Sequence, residues 1–303
     1  MEVMTYHKPV MLEECLAHLN IQADGTYVDV TFGGGGHSRG ILAQLGPQGR
    51  LVAFDQDPDA RKNLPDDSRL LFIASNFRHL LPLLRMHGIG KVHGILADFG
   101  VSSHQLDQAE RGFSLRFDGP LDMRMNPEKS LTAAQVLNEY SAQELINILR
   151  KYAELPRPNR LVQSLIAARP LQSTAALKSV LESLAPRQNA HRFYARVFQA
   201  LRLEVNQELD AIEAFLLQLP DGLEVGGRVV CLSYHSLEDR LVKNFFRSGN
   251  TEGEMHKDFY GKLLRPLEPL LRKPLYPAEA EQNSNPRARS ARLRVAQRIA
   301  ENV

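Results

Sequence analysis

Four consecutive glycines placed directly after an apolar strand constrain this chain more than any other feature. In Asp29-Val-Thr-Phe-Gly33-Gly34-Gly35-Gly36-His37-Ser38, the run Thr26–Thr31 reads as a buried strand, and a helix is expected from about Ser38. In an open parallel sheet, ligands gather outside the carboxyl ends of the strands. Glycines there let a ligand approach the backbone, and the helix N-terminus offers unpaired N–H groups to an anionic group. The dinucleotide fingerprint G-x-G-x-x-G does not fit. Counted from Gly33 its third glycine would be Ser38, and counted from Gly34 it would be Arg39. A nicotinamide oxidoreductase shares this kind of sheet but needs that glycine.

The rest of the first third alternates in the same way. Arg50–Asp55, Leu70–Ala74 and Val92–Asp98 read as strands, and Asp57-Pro58 opens a helix with Asp57 as N-cap and Pro58 in the first turn. Such alternation predicts an α/β fold, a parallel sheet covered on both faces. A polar, glycine-bearing loop follows from Asp107 to about Asn126, and then the signals turn helical. Ser141-Ala-Gln-Glu144 is a capping box, Thr174 is expected to cap a second helix, and apolar positions from Phe193 to Leu216 predict one long helix ended by Pro220-Asp221-Gly222. Strands resume at Arg228–Ser233 and Ala291–Ala296. The organisation expected is a discontinuous catalytic domain, residues 1–108 and 195–303, interrupted by a helical insert at 109–194.

Charge is informative by distribution. Arg157–Arg202 holds eight Lys or Arg against one acid, and Lys257–Arg298 holds ten against four, on a chain of net charge +2. Local basic stretches on a near-neutral chain suggest a polyanionic partner, or else solvated helical faces. The two cysteines, Cys15 and Cys231, lie far apart and in no metal-binding spacing, and the ten histidines show no HExxH pattern, so no metal is expected. Cysteine usage fits a reducing cytoplasm. Met1–Val10 has no apolar leader and no run is long enough to span a bilayer, so no membrane association is expected.

Two carboxylates stand where ligands would meet the sheet. Asp55 closes the second strand 22 residues after Gly33, the offset of an acid that accepts from ribose hydroxyls; Asp57 competes but has a capping job. An acid within the strand before the glycines, Asp29, resembles the nucleoside-plus-amino-acid loop of class I methyltransferases, where it would answer an ammonium directly or through water. Asp98 ends the fourth strand, in Asp98-Phe-Gly-Val-Ser-Ser103. In this architecture that strand end faces the transferable methyl. An exocyclic base amine has its lone pair delocalised into the ring, so methylation needs an acceptor that localises the pair and takes the proton. Asp98 is the candidate, with Ser102 and Ser103 beside it; its other reading is a loop cap. Methylation at a ring carbon needs a cysteine nucleophile, and Cys15 and Cys231 sit in a helix and a buried strand. Ser233-Tyr-His-Ser236 ends the strand after the insert, where polar and aromatic groups can hold a base; Ser233 and His235 are secondary catalytic candidates, and His37 is a possible helix cap.

Long blocks then resemble the RsmH (MraW) family, the cytosine-N4 methyltransferases of bacterial 16S rRNA. They are His7-Lys-Pro-Val-Met-Leu-Glu-Glu14, Asp29–Ser38, Asp55-Gln-Asp-Pro58, Asp98–Ser103 with Gln105-Leu-Asp107, Arg111-Gly-Phe-Ser114 with Asp118–Met125, Phe198–Arg202 with Val205-Asn206, Gly226–Lys243, and Asn285–Ser290. The resemblance implies a class I (Rossmann-like) methyltransferase with a helical insert for rRNA recognition. It also implies S-adenosylmethionine held by Gly33, Gly35, Gly36, His37, Asp55, Phe77, Asp98 and Gln105. The implied target is a cytidine of the decoding region, at the P site, in the small ribosomal subunit; another nucleic-acid amine is the alternative. Two blocks depart from the family. Its Tyr-Gly-Glu-Glu is Tyr152-Ala-Glu-Leu155 here, and its Ser-Phe-His-Ser is Ser233-Tyr-His-Ser236.

Overall fold

A computed structural model describes residues 9–300. The expectation drawn from Met1–Val10 rests mostly on residues 1–8, which with His7-Lys8 of the first block lie outside the described residues. In chain order the strands are β1 (Thr26–Asp29), β2 (Arg50–Asp55), β3 (Leu70–Ala74), β4 (Val92–Asp98), β5 (Leu223–Ser233), β6 (Leu267–Pro269) and β7 (Arg292–Arg298). The helices are α1 (Leu12–Leu19), α2 (Gly36–Gln44), α3 (Leu80–Met86), α4 (Ser103–Asp107), α5 (Ala133–Glu139), α6 (Ala142–Lys151), α7 (Asn159–Ala167), α8 (Thr174–Glu182), α9 (Ala190–Asn206), α10 (Glu208–Gly222), α11 (Ser236–Ser248) and α12 (Glu279–Ser284). Among the described residues, no helix is long and apolar enough to cross a membrane.

The chain divides into two compact units, one of residues 1–100 and 209–303 and one of residues 101–208. The first holds a seven-stranded sheet in the order β3-β2-β1-β4-β5-β7-β6. The β1–β2, β2–β3, β1–β4 and β4–β5 pairs are parallel, and β7 runs antiparallel to both neighbours. Successive side chains of a strand point to opposite faces, and both faces are buried here. Val28, Val52, Phe54, Ile95 and Val229 join one core with Phe215, Leu216 and Leu219 of α10 and Phe245 and Phe246 of α11. Their strand neighbours Tyr27, Leu51, Leu96, Val230 and Leu232 join the other, with Cys15, Leu16 and Leu19 of α1 and Ile41 and Leu42 of α2. This is why the strands read as continuous apolar runs rather than alternating ones. The strand β6 gave no such signal: it has three residues and ends in Pro269, which an edge strand tolerates.

The second unit is helical, α4 to α9 with the Asp107–Asn126 loop. That loop is pinned by polar contacts. Asn206 accepts from the Met125 N–H at 2.7 Å and donates to the Met123 carbonyl at 2.7 Å, while Arg124 and Asp122 pair at 2.6 Å. A Cβ on Gly112 would come within 2.1 Å of the Pro120 carbonyl, at φ +70°, so only glycine fits that crossing.

Several helix expectations are corrected. The long helix breaks at Gln207, which is left-handed (φ 52°). The apolar period runs through the break, but Val197, Leu201 and Val205 are buried in α9, which packs against α5, α6 and α8, whereas Ile212 and Leu216 join the sheet core. The compact unit of residues 101–208 is wider than the 109–194 expected for the insert, and α9 runs as one helix through position 194. Ser173, not Thr174, caps α8, accepting from the Ala176 N–H; the Thr174 hydroxyl accepts from Gly119 instead. The helix expected after Asp57 is a 3-10 segment, Pro58–Asn63, with Asp57 as its cap. In the divergent Tyr152–Leu155 block, which follows α6, the left-handed residue is Glu154 (φ 49°), and Ala153 is buried. The position where the family has glycine therefore needs no left-handed residue.

Candidate active site

The turn after β1 is tied to the strands on either side of it in the structure. Gly33 donates its N–H to Asp55 Oδ2 at 2.7 Å, and its carbonyl accepts from Asn63 Nδ2 at 3.0 Å. Gly35 caps α2 in the left-handed region, and a Cβ there would meet the Phe32 ring at 2.8 Å. A Cβ on Gly36 would meet Pro9 at 2.9 Å. The glycines thus let the start of α2 pack closely against the Phe32 and Pro9 side chains, where any Cβ would clash.

Asp29 has a structural place. It is 1% exposed, its Oδ1 accepts from the Thr31 N–H at 3.0 Å, and its Oδ2 accepts from the Ser38 hydroxyl at 2.7 Å. Burial pushes its pKa up, against the pull of His37 and these hydrogen bonds. It fastens the end of β1 to α2, each carboxylate oxygen accepting a hydrogen bond from its own turn. Asp55, by contrast, is half-buried at the end of β2. Its Oδ1 accepts from the Asp57 N–H at 2.8 Å while Oδ2 holds Gly33. Burial, opposed by those two N–H groups, pushes its pKa up to about 6. Asp57 is 6% exposed and accepts from the Asp59 N–H, a capping role. Phe77 lies beyond β3, half-buried, with its ring 5.7 Å from both Phe99 and Phe215.

Asp98 closes β4 beside the glycine turn. Its N–H is held by the Thr31 hydroxyl at 2.7 Å, and its Oδ1 accepts from the Tyr234 hydroxyl at 2.7 Å. Its Oδ2 lies 3.7 Å from His37 Nδ1, whose ring is fixed from the other side by Nε2 at 3.0 Å from the Val10 carbonyl. The carboxylate remains 24% exposed. Burial pushes its pKa up, offset in part by His37 and Tyr234. Tyr234 is raised well above its ordinary value, by burial first and then by Asp98. His37 makes no side-chain cap bond, contrary to expectation. The Tyr234–Asp98 bond was not foreseen, although its signal was present: position 234 is where this chain carries a hydroxyl that the family block lacks.

The other candidates sit elsewhere. Ser233 is fully buried in β5 and cannot touch a substrate. His235 caps α11, its Nδ1 accepting from the Glu238 N–H at 3.4 Å with Nε2 3.0 Å from Glu238 Oε1. Glu238 is buried and its Oε2 accepts from the Tyr234 N–H at 2.8 Å, so the pair sets the backbone that carries Tyr234. Gln105 belongs to the helical unit, where it completes a capping box with Ser102 at the start of α4.

A sheet of this order with an antiparallel seventh strand, a glycine turn after β1, and acids closing β2 and β4 defines the class I methyltransferase fold. The chain belongs to the MraW methylase family, whose model matches residues 4–299. It is 50% identical over 298 residues to the Ribosomal RNA small subunit methyltransferase H of Bacteroides thetaiotaomicron, covering 97% of this chain and 98% of that protein. It is likewise 50% identical over 301 residues to the protein of the same name from Amoebophilus asiaticus, covering 98% and 97%.

Proposed function

We propose that this chain uses S-adenosylmethionine to methylate N4 of a cytidine in the decoding region, at the P site, of small-subunit ribosomal RNA. The observation that carries the reading is the pair of desolvated carboxylates, Asp55 and Asp98, closing the two strands that flank the glycine turn. The names of the relatives support the rRNA target.

The residues present suit such a cofactor. Asp55 offers a charged acceptor for ribose hydroxyls, the Gly36 and His37 N–H groups at the helix start suit a carboxylate, and Phe77 offers a flat face for adenine. The role of Gln105 rests on the resemblance alone. When bound, the cofactor supplies an electrophilic methyl on a positively charged sulfur. Asp98 accepts a hydrogen bond from the cytosine amine, localises its lone pair and receives the proton that the nitrogen sheds as it is alkylated. A carboxylate whose pKa is raised by burial is the better proton acceptor. Tyr234 fixes one oxygen, and the other lies 3.7 Å from His37 Nδ1 in a side chain that keeps 24% of its surface exposed. Chemistry at a ring carbon is poorly served: Cys15 and Cys231 are both buried, and burial raises both thiols.

Mass spectrometry of 16S rRNA from cells lacking this chain is the direct test: one cytidine-N4 methyl should be missing from the decoding region and return with the wild-type chain. Unchanged rRNA would sink the proposal, and a different lost methyl would redirect it. Tyr234→Phe tests the geometry. Without the hydroxyl, the Asp98 carboxylate loses a stabilising donor and its pKa rises, so the acidic limb of the pH–rate profile should move to higher pH. An unmoved limb would remove Tyr234 from the mechanism.

We assign RNA docking to the helical unit. Of its basic run, Arg169 holds the Leu137 and Tyr140 carbonyls, Arg196 that of Glu154, and Arg202 pairs with Glu208 at 2.8 Å, whereas Arg157, Arg160, Arg187 and Arg192 are exposed. Of the C-terminal arginines, Arg294 is 2.6 Å and Arg292 3.4 Å from Asp239. Charge reversal at the four exposed arginines should flatten the dependence of log affinity on log salt by roughly 0.7–0.9 per lost phosphate contact, with cofactor affinity unchanged. An unaltered slope would mean this surface does not meet RNA.

A further inference from the structure

Exposed large apolar side chains concentrate in one stretch of the described residues, while Leu64, Met86, Phe117, Leu217 and Val225 stand apart from it. Of the large ones standing out among the described residues, Met255, Phe259, Tyr260, Leu264, Leu270 and Tyr276 fall within a single stretch. Its centre is a hairpin, with Lys257 bridged to Leu263 and the Leu264 N–H bonded to the His256 carbonyl at 2.8 Å. The tip is rigid. Asp258 Oδ1 accepts from the N–H groups of Tyr260 and Lys262, both at 2.9 Å, the Asp258 N–H reaches the Lys262 carbonyl at 2.9 Å, and Gly261 takes φ +83°. These bonds hold Phe259 and Tyr260 outward at 98% and 91% exposure, with ring centroids 5.7 Å apart at 87°.

Two adjacent rings held almost wholly in water bury nothing, so the fold gains nothing from them. Their surroundings point to a polyanion. From residue 255 to 276 there are five Lys or Arg against two acids. Both acids are engaged within the chain: Asp258 in the turn, and Glu268 with Arg265 at 3.1 Å. Lys257, Lys262, Arg272 and Lys273 are exposed. Rigid aromatic faces between cations are what unpaired RNA bases stack on, since every base has a π-face and a phosphate beside it.

We propose that the 256–264 hairpin is a second RNA-docking element, in which Phe259 and Tyr260 stack on unpaired bases of the substrate RNA while Lys257 and Lys262 meet its phosphates. This rests on the rRNA substrate proposed above. The assay is binding of the full-length chain to small ribosomal subunits from cells lacking it. Phe259→Ala with Tyr260→Ala should lower affinity by about 5-fold to 150-fold for each stack lost, with cofactor affinity and melting temperature unchanged because nothing buried is removed. The salt slope should also stay as in the wild type, whereas Lys257→Ala with Lys262→Ala should flatten it. Phe259→Leu with Tyr260→Leu keeps apolar bulk without a π-face and should bind as poorly as the alanine pair. Leucines that restore binding would assign the tip to a protein or lipid contact and overturn the inference, as would undiminished binding by the alanine pair. A photocrosslinker at position 259 should label rRNA; exclusive labelling of a ribosomal protein would also overturn it. If the wild-type chain binds no small subunit, the function proposed above fails with it; if it binds and the alanine pair binds equally, only the hairpin inference fails.

Discussion

Asp98→Asn is expected to lower the single-turnover methylation rate by about 10²–10⁴-fold with cofactor and RNA both saturating, the usual size of a general-base contribution. The substitution keeps the shape and one acceptor oxygen, so the Tyr234 hydroxyl keeps its partner, now 2.7 Å from Asp98 Oδ1. The backbone is held independently by the Thr31 hydroxyl. Burial already works against the charge of Asp98, so the neutral amide relieves desolvation and the melting temperature should not fall. What the amide cannot do is receive a proton from the attacking nitrogen. A rate restored at saturating S-adenosylmethionine would make Asp98 a cofactor-binding residue only. A rate that stays low places it in the transfer step.

The sheet was legible because it is buried on both faces. Continuous apolar runs such as Arg50–Asp55 and Val92–Asp98 matched the strands end to end, and each closes on an acid. The glycine turn was legible for a related reason, since four glycines have no role inside a strand or helix. What stayed hidden depends on contacts distant in sequence. Tyr234 and Asp98 are 136 residues apart, and a spacing pattern cannot register a side chain aimed across two strand ends. Asp29 shows the converse. Its position suggested a ligand contact, and what that pattern did not register is that Thr31 and Ser38, two and nine residues on, each give one of its oxygens a hydrogen bond. The basic stretches were legible as counts but not as surfaces: Arg169, Arg196 and Arg202 serve carbonyls and an acid of their own unit. The break at Gln207 was invisible because the apolar period continues through it while the core it serves changes.

Asp55→Ala should weaken S-adenosylmethionine binding by at least about tenfold, because charge-assisted hydrogen bonds are worth roughly 1.5–3 kcal/mol each and tenfold needs only about 1.4. Part of the loss is indirect, since alanine also leaves the Gly33 and Asp57 N–H groups without their acceptor. Asp57→Ala is the control. It removes a cap and should cost about 0.5–2 kcal/mol of stability with little change in cofactor affinity; the reverse pattern would transfer the ribose role to Asp57. The pH dependence separates charge from loop geometry. With its pKa pushed up to about 6, Asp55 is ionised at neutral pH and protonated below that value. If the charged form is what holds the ribose, affinity should be level above about pH 6.5 and fall by up to about tenfold per unit below about pH 6. Titration calorimetry from pH 5 to 8 measures this. Asp55→Asn keeps one acceptor but has no proton to gain, so its affinity should start lower and lose the break near pH 6. A break that persists in Asp55→Asn would show that another group titrates there, and would leave Asp55 with only the structural task of holding Gly33.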